Sequence, residues 1–222
     1  MKRFAAFSLL ALFVATIYGS TAAGTDAAKQ PAKPESLGRE AAEAVPVKAS
    51  PSAKYFTDVV LVNQDGEEMR FYSDLLKDKV VVINTIYTTC SGVCPVMGKS
   101  FLQFQEHLGD RLGRDVHLIS ISQDPENDTP PKLKEFGEKY GMRPGWYLLT
   151  GKKENVDFAL SKLGQWVEQK NDHSPIMLMG NDRTGLWKKA MGLSSPEELI
   201  TVLDSVLLDE GGDLTGGGRP GN

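Results

Sequence analysis

Val80-Val81-Val82-Ile83-Asn84-Thr85-Ile86-Tyr87-Thr88-Thr89-Cys90-Ser91-Gly92-Val93-Cys94-Pro95 holds a short apolar run followed by both cysteines of the chain. Seven residues rich in Val and Ile suit one buried strand and are too few for an ordinary helix. Beyond the cysteines, Met97, Phe101, Phe104 and Leu108 recur at intervals of four, three and four, which marks one face of a helix. A strand, a loop carrying two thiols and a helix therefore follow one another. The helix start offers free N–H groups and a positive end that favours thiolates.

The rest of the chain alternates in the same manner. Tyr55 to Val62 and Glu67 to Phe71 read as strands around Asn63-Gln64-Asp65-Gly66, whose Asp-Gly is a hairpin signal. A short helix is expected from Ser73, a buried strand over Val116 to Ile121, and a helix opened by Pro130-Pro131 and closed by Gly141. Trp146 to Leu149 predicts a strand and Lys152 to Leu163 a helix. Ile176 to Met179 predicts a strand that turns at Asn181 to Gly185 into Leu186-Trp187-Lys188-Lys189. A last helix, capped by Ser195 with Pro196 at its first position, runs to Leu208. Strands alternating with helices, then a late hairpin and a helix, indicate an α/β sandwich around a mixed central sheet, with an N-terminal hairpin. Two cysteines at the turn of the first βα unit make this the thioredoxin-like arrangement.

The ends read differently. Met1-Lys2-Arg3 precedes an uncharged, mostly Ala, Leu, Phe and Val stretch from Phe4 to Gly19, and small residues follow at Ser20-Thr21-Ala22. This is a secretory signal pattern, with cleavage expected after Ala22. An uncleaved membrane anchor is the alternative, since a span needs about 20 apolar residues. Residues 23–53 are Ala, Pro, Lys, Glu and Ser with almost no large apolar side chain, and read as a disordered tether. Residues 54–209 form one domain, and the Gly-rich residues 210–222 read as a flexible tail. Net charge is −4, or −6 once Lys2 and Arg3 are removed, which gives no general attraction to nucleic acid or anionic lipid. Membrane contact is expected only through the possible anchor. Export to the periplasm, or an equivalent compartment outside the cytoplasm, places the thiols where an unprotected pair tends to close into a disulfide.

A purely structural role for that disulfide is weak. Closing so short a loop contributes only about 2 kcal/mol before strain. Two buried, inert thiols are a second bland reading, because free cysteine packs as a small hydrophobe. Chemistry is the stronger expectation, and the histidines bear on it. His107 lies one position before the apolar row of its helix, as a solvated residue would, and His117 lies in or at the start of a strand. His173, in Asn171-Asp172-His173-Ser174-Pro175, immediately precedes a strand expected to return to the cysteine end of the sheet. Met97 belongs to the helix face, and Met177 and Met179 alternate along a strand, so core packing is expected for all three.

Three segments, Thr88 to Pro95, Ile119 to Pro130 and Asp172 to Pro175, resemble the Sco/SenC family of thioredoxin-like copper proteins, in order and at plausible separations over Tyr55 to Leu208. The resemblance implies that Cys90 and Cys94 are thiolate ligands of copper, as Cu(I) or Cu(II), and also a redox pair, with His173 as the imidazole ligand. Asp124 matches an acidic residue near the site. Gln123 stands where a small apolar residue is commoner, and Ser174-Pro175 where many relatives lack proline. Two thiolates and an imidazole are a soft donor set suited to Cu(I), whereas a structural zinc site normally fills four positions and no third cysteine exists. The implied function is delivery or priming of copper for a respiratory oxidase subunit, the CuA centre of cytochrome c oxidase, with a copper donor and a thiol reductant upstream. The alternative is a thiol-disulfide reductase that keeps the target's cysteines reduced. A peroxide-reducing relative is disfavoured, because the Pro-x-x-x-Thr-x-x-Cys setting is missing.

Overall fold

The computed structural model describes residues 51–211 and opens with a short helix, α1 (Pro51–Phe56). Helix replaces the start of the expected first strand. Tyr55 and Phe56 are apolar, as a strand would be, but Phe56 packs from α1 against Phe71 and Trp187 at ring distances of 5.9 and 5.3 Å. Thr57, at φ 56°, then turns the chain into β1 (Val60–Asn63). Helix α1 thus runs across the expected boundary at 54. The expected signal segment, residues 1–22, lies outside the described residues, as do most of the tether and of the tail.

The Asn63–Gly66 turn forms as expected. Asn63 Oδ1 accepts from the backbone N–H groups of Asp65 and Glu67, both at 2.9 Å, and Gly66 takes φ 83°. The chain returns as β2 (Glu68–Arg70). The helix expected from Ser73 is instead a run of turns. Asp58 holds the Ser73 N–H and hydroxyl at 2.7 and 2.6 Å, which fixes the segment so that Leu75 and Leu76 drop into the core.

From here sequence pattern and structure agree closely: β3 (Val80–Ile86), α2 (Cys94–Leu108), β4 (Val116–Ser122), α3 (Pro130–Lys139), β5 (Trp146–Thr150) and α4 (Lys153–Leu163) alternate. A hairpin of β6 (Ile176–Asn181) and β7 (Leu186–Met191) and a capping helix, α5 (Pro196–Leu207), complete the domain. Ser195 and Glu198 form a reciprocal capping box at the start of α5.

The seven strands form one mixed sheet in the order β2-β1-β5-β4-β3-β6-β7. The centre, β5-β4-β3, is parallel, and β1, β6 and β7 join antiparallel. All of β3 and β4 is buried, which explains their unbroken apolar character. Side chains alternate between two cores. Val80, Val82 and Ile86 meet Phe101, Phe104, Trp146 and Leu203 on the α2, α3 and α5 side. Val81 and Ile83 meet Leu61, Phe71, Leu75 and Leu160 on the α1 and α4 side. Removing one of these phenyl rings costs about 3–5 kcal/mol. This is the thioredoxin-like α/β sandwich. Met97, Met177 and Met179 are fully buried in the first core, as expected. No helix among the described residues is long and apolar enough to cross a membrane.

Candidate metal centre

The first core sets the site, because α2 can bury Met97, Phe101 and Phe104 only by starting at the end of β3. Its first residue is Cys94, with Pro95 in the first turn and the amides of Val96 and Met97 bonded back to the Val93 carbonyl at 3.0 Å. Between strand and helix, the Cys90 N–H closes a turn on the Tyr87 carbonyl at 3.0 Å. Cys90 is half-buried and Cys94 fully buried, and both are free thiols.

His173 arrives from the far side of the sheet. A 3-10 turn over Lys170–Asp172 ends at His173, and β6 begins three residues later, paired antiparallel to β3. This pairing returns His173 to the cysteine end. Its Nε2 lies 4.0 Å from Cys94 Sγ and its Nδ1 3.3 Å from Thr85 Oγ1, while Tyr87 meets the ring edge-on at 5.6 Å. Ligand atoms of Cys90, Cys94 and His173 all lie within 4.8 Å of one another. Three donors bonded to one ion at about 2.0–2.3 Å in a trigonal plane stand roughly 3.5–4.0 Å apart, so side-chain adjustments of up to about 1 Å would close the cluster.

The two thiols differ. Burial raises the Cys90 pKa, but hydrogen bonding from the Cys94 thiol and N–H, the Tyr87 hydroxyl and the Gly92 N–H outweighs it and holds Cys90 below the ordinary thiol range. For Cys94 burial dominates, seconded by the neighbouring sulfur, and pushes it up to about 12. A helix start favours thiolate at both positions in principle, yet for Cys94 desolvation wins. Tyr87 is pushed up to about 12 by its hydrogen bond to Cys90 and by burial, so it stays a neutral donor. Burial lowers the pKa of His173, leaving it neutral and able to ligate.

Asp124 does not join the donor cluster. Its Oδ2 accepts from Lys170 Nζ at 2.5 Å and its Oδ1 from Asn127 Nδ2 at 2.8 Å. Lys170 in turn lies over the Tyr87 ring at 5.2 Å, three residues before His173. Asp124 therefore acts on the loop that carries the histidine. His107 bonds Asp204 of α5 at 2.9 Å, and His117 is buried in β4, stacked against Tyr147, so neither reaches the site.

Sequence reasoning missed Asp128, Thr85, Tyr87 and Lys170. Asp128 is fully buried and accepts from the Thr88 hydroxyl and the Ser122 hydroxyl, both at 2.6 Å, and from the Thr88 N–H at 3.1 Å. Nothing local distinguishes it from a loop acid. Its Thr88 partner lies 40 residues earlier.

Comparisons with known proteins converge on one family. The SCO1/SenC family profile matches residues 47–207. The SCO1 protein homolog of Bacillus subtilis (strain 168) is 34% identical over 118 residues, 52% of this chain and 60% of that protein, so the match spans less than two thirds of that relative. Among solved structures, BsSco is described as having a disulfide switch and belonging to the Sco family of cytochrome c oxidase assembly proteins. It superposes with a TM-score of 0.57 at 28% identity, over 68% of this chain and 92% of that one. Copper-bound ScoI of Bradyrhizobium japonicum superposes with a TM-score of 0.56 over 68% of this chain and 98% of that one. At 24% identity it speaks to the fold.

Proposed function

This chain belongs to the SCO1/SenC family, and on that premise we propose that it binds copper through Cys90, Cys94 and His173 and delivers it to, or primes with it, the CuA centre of a respiratory oxidase. The observation that carries the reading is the convergence of two sulfurs and one neutral imidazole within 4.8 Å. This donor set is soft, anionic and incomplete for tetrahedral zinc, and it suits Cu(I). Copper is the cargo. Cys94 gives up its proton as the ion enters, so uptake releases protons and is favoured by rising pH. Release follows by ligand exchange with a partner's cysteines and histidines. The soft donor set supports copper as the cargo, and the oxidase-assembly role stated for BsSco supports the target. An extracytoplasmic location follows from the apolar N-terminal segment.

One observation favours a second reading. A half-buried thiol held below the usual range beside a fully buried one held above it is the asymmetry a thiol-disulfide reductase uses. Cys90 thiolate would attack a target disulfide and release one target thiolate. Cys94 would then displace the second, leaving the target reduced and Cys90–Cys94 oxidised. An upstream thiol reductant must restore the pair.

Competitive Cu(I) titration of reduced wild type and His173→Ala, beside oxidase assembly in cells carrying each, separates the readings. A carrier loses at least about tenfold in affinity, or about 1.4 kcal/mol, and loses assembly, while thiol exchange survives. Unchanged affinity with normal assembly overturns the ligand assignment. Loss of function in Cys90→Ser and Cys94→Ser, with His173→Ala tolerated, favours the reductase.

A further inference from the structure

Thr85 and its neighbour Asn84, which accepts from the Ser120 hydroxyl, are the polar residues of β3. Val80, Val81, Val82, Ile83 and Ile86 fill β3 with hydrocarbon, and a valine at 85 would have the same branched shape as threonine. The hydroxyl is fully buried, and a buried hydroxyl is retained against desolvation only where it has a partner. Among the described residues its hydrogen-bond partner is His173 Nδ1, at 3.3 Å.

The other ring nitrogen makes that contact consequential. Nε2 faces Cys94 Sγ at 4.0 Å and is the atom that joins the two sulfurs in the donor cluster. A neutral imidazole carries one proton, and the tautomer decides which nitrogen has a free lone pair. If Nε2 holds the proton, the ring presents N–H to the sulfur and cannot ligate. If Nδ1 holds it, Thr85 accepts and Nε2 is free. Ligating histidines generally need such an acceptor for the second nitrogen, because it fixes both tautomer and ring orientation. Tyr87, edge-on to the ring at 5.6 Å, limits its rotation but supplies no acceptor to Nδ1.

We propose that Thr85 is the positioning residue for His173: its hydroxyl oxygen accepts the Nδ1 proton, orients the ring, and leaves Nε2 unprotonated toward the two sulfurs before any metal arrives. This deepens the copper reading and rests on it for its purpose. The tautomer itself does not depend on copper.

The test has two arms on full-length reduced protein. Long-range ¹H–¹⁵N NMR of ¹⁵N-histidine-labelled, metal-free protein at pH 8 reads the His173 tautomer. Wild type and Thr85→Ser should show the Nδ1–H form, and Thr85→Val a mixture or the Nε2–H form. Competitive Cu(I) titration should show Thr85→Val weaker by about tenfold or more, with Thr85→Ser within about twofold of wild type. An Nε2–H tautomer in wild type overturns the proposal even if Thr85→Val fails to fold. So does a Thr85→Val protein with wild-type tautomer and affinity. If wild type binds no Cu(I) but carries the Nδ1–H form lost in Thr85→Val, the copper reading fails and the positioning role stands.

Discussion

Asp128 grips Thr88 by both its backbone amide and its hydroxyl, at 3.1 and 2.6 Å, two residues before Cys90. The same carboxylate holds Ser122 at the end of β4, so the cysteine loop is tied to the strand beside its own.

Replacing Asp128 with Ala strands the buried Ser122 hydroxyl and the half-buried Thr88 hydroxyl and N–H, and charge-assisted bonds of this kind are the stronger ones. We expect Asp128→Ala to lose about 3 kcal/mol in urea denaturation and Asp128→Asn roughly half as much. Both variants should weaken Cu(I) binding, because Cys90 loses its fixed approach. A stability loss under about 1 kcal/mol for Asp128→Ala would mean that the loop is held by other contacts.

The thiols should react in order. Iodoacetamide at neutral pH, followed by peptide mass spectrometry, should label Cys90 well before Cys94, whose burial and raised pKa protect it. Oxidation in air without copper should close a Cys90–Cys94 bridge. Reducing that bridge should change stability by only about 2 kcal/mol. Equal labelling rates would remove the asymmetry on which the reductase reading stands.

The Asp124–Lys170 pair should matter more to motion than to stability. Lys170 is partly exposed, so breaking the pair costs about 1 kcal/mol or less. Hydrogen exchange over residues 166–174 should nevertheless quicken in Asp124→Asn, because the loop loses its tie to the Asp124 segment. If exchange there stays at the wild-type rate, Asp124 has no hold on His173.

His117 provides a pH signature. Burial, with Lys79 nearby, lowers its pKa to about 4, whereas an unfolded histidine titrates near 6.5. Below pH 6.5 the unfolded chain therefore binds the extra proton, and stability present above that value is lost as pH falls toward 4. Between pH 7.5 and pH 5, wild type should lose about 2 kcal/mol more than His117→Phe in parallel urea titrations. Identical losses would show that His117 takes up its proton equally in the folded and unfolded chain.

Much of this was legible in the chain because the signals were periodic or local. The Val-Ile run of β3, the 4-3-4 spacing in α2 and the Ser195-Pro196 start of α5 each specify their element without outside help. Tyr55 and Phe56 misled because apolarity suits a strand as well as a short helix, and only the packing of Phe56 on Trp187 decides between them. Ser73 misled because Asp58, 15 residues away, captures it. At the site, Cys90 and Cys94 stood out by residue type and spacing, whereas His173 entered only through the resemblance of its segment to the Sco/SenC family. Asp128 and Thr85 did not stand out, since an acid in a polar loop and a β-branched residue in a strand are both unremarkable until their distant partners are known.

The burial of Cys94 gives the site a front and a back. An incoming ligand finds the Cys90 sulfur half-open to solvent, while Cys94 is walled in by the core and His173 is 8% exposed. An ion here would be approached from one side, with the Cys90 bond the first to exchange and the Cys94 bond the last to break. Transfer would then run as a stepwise peel with a fixed order. A partner able to offer only one replacement ligand would stall at a bridged intermediate still fastened through Cys94.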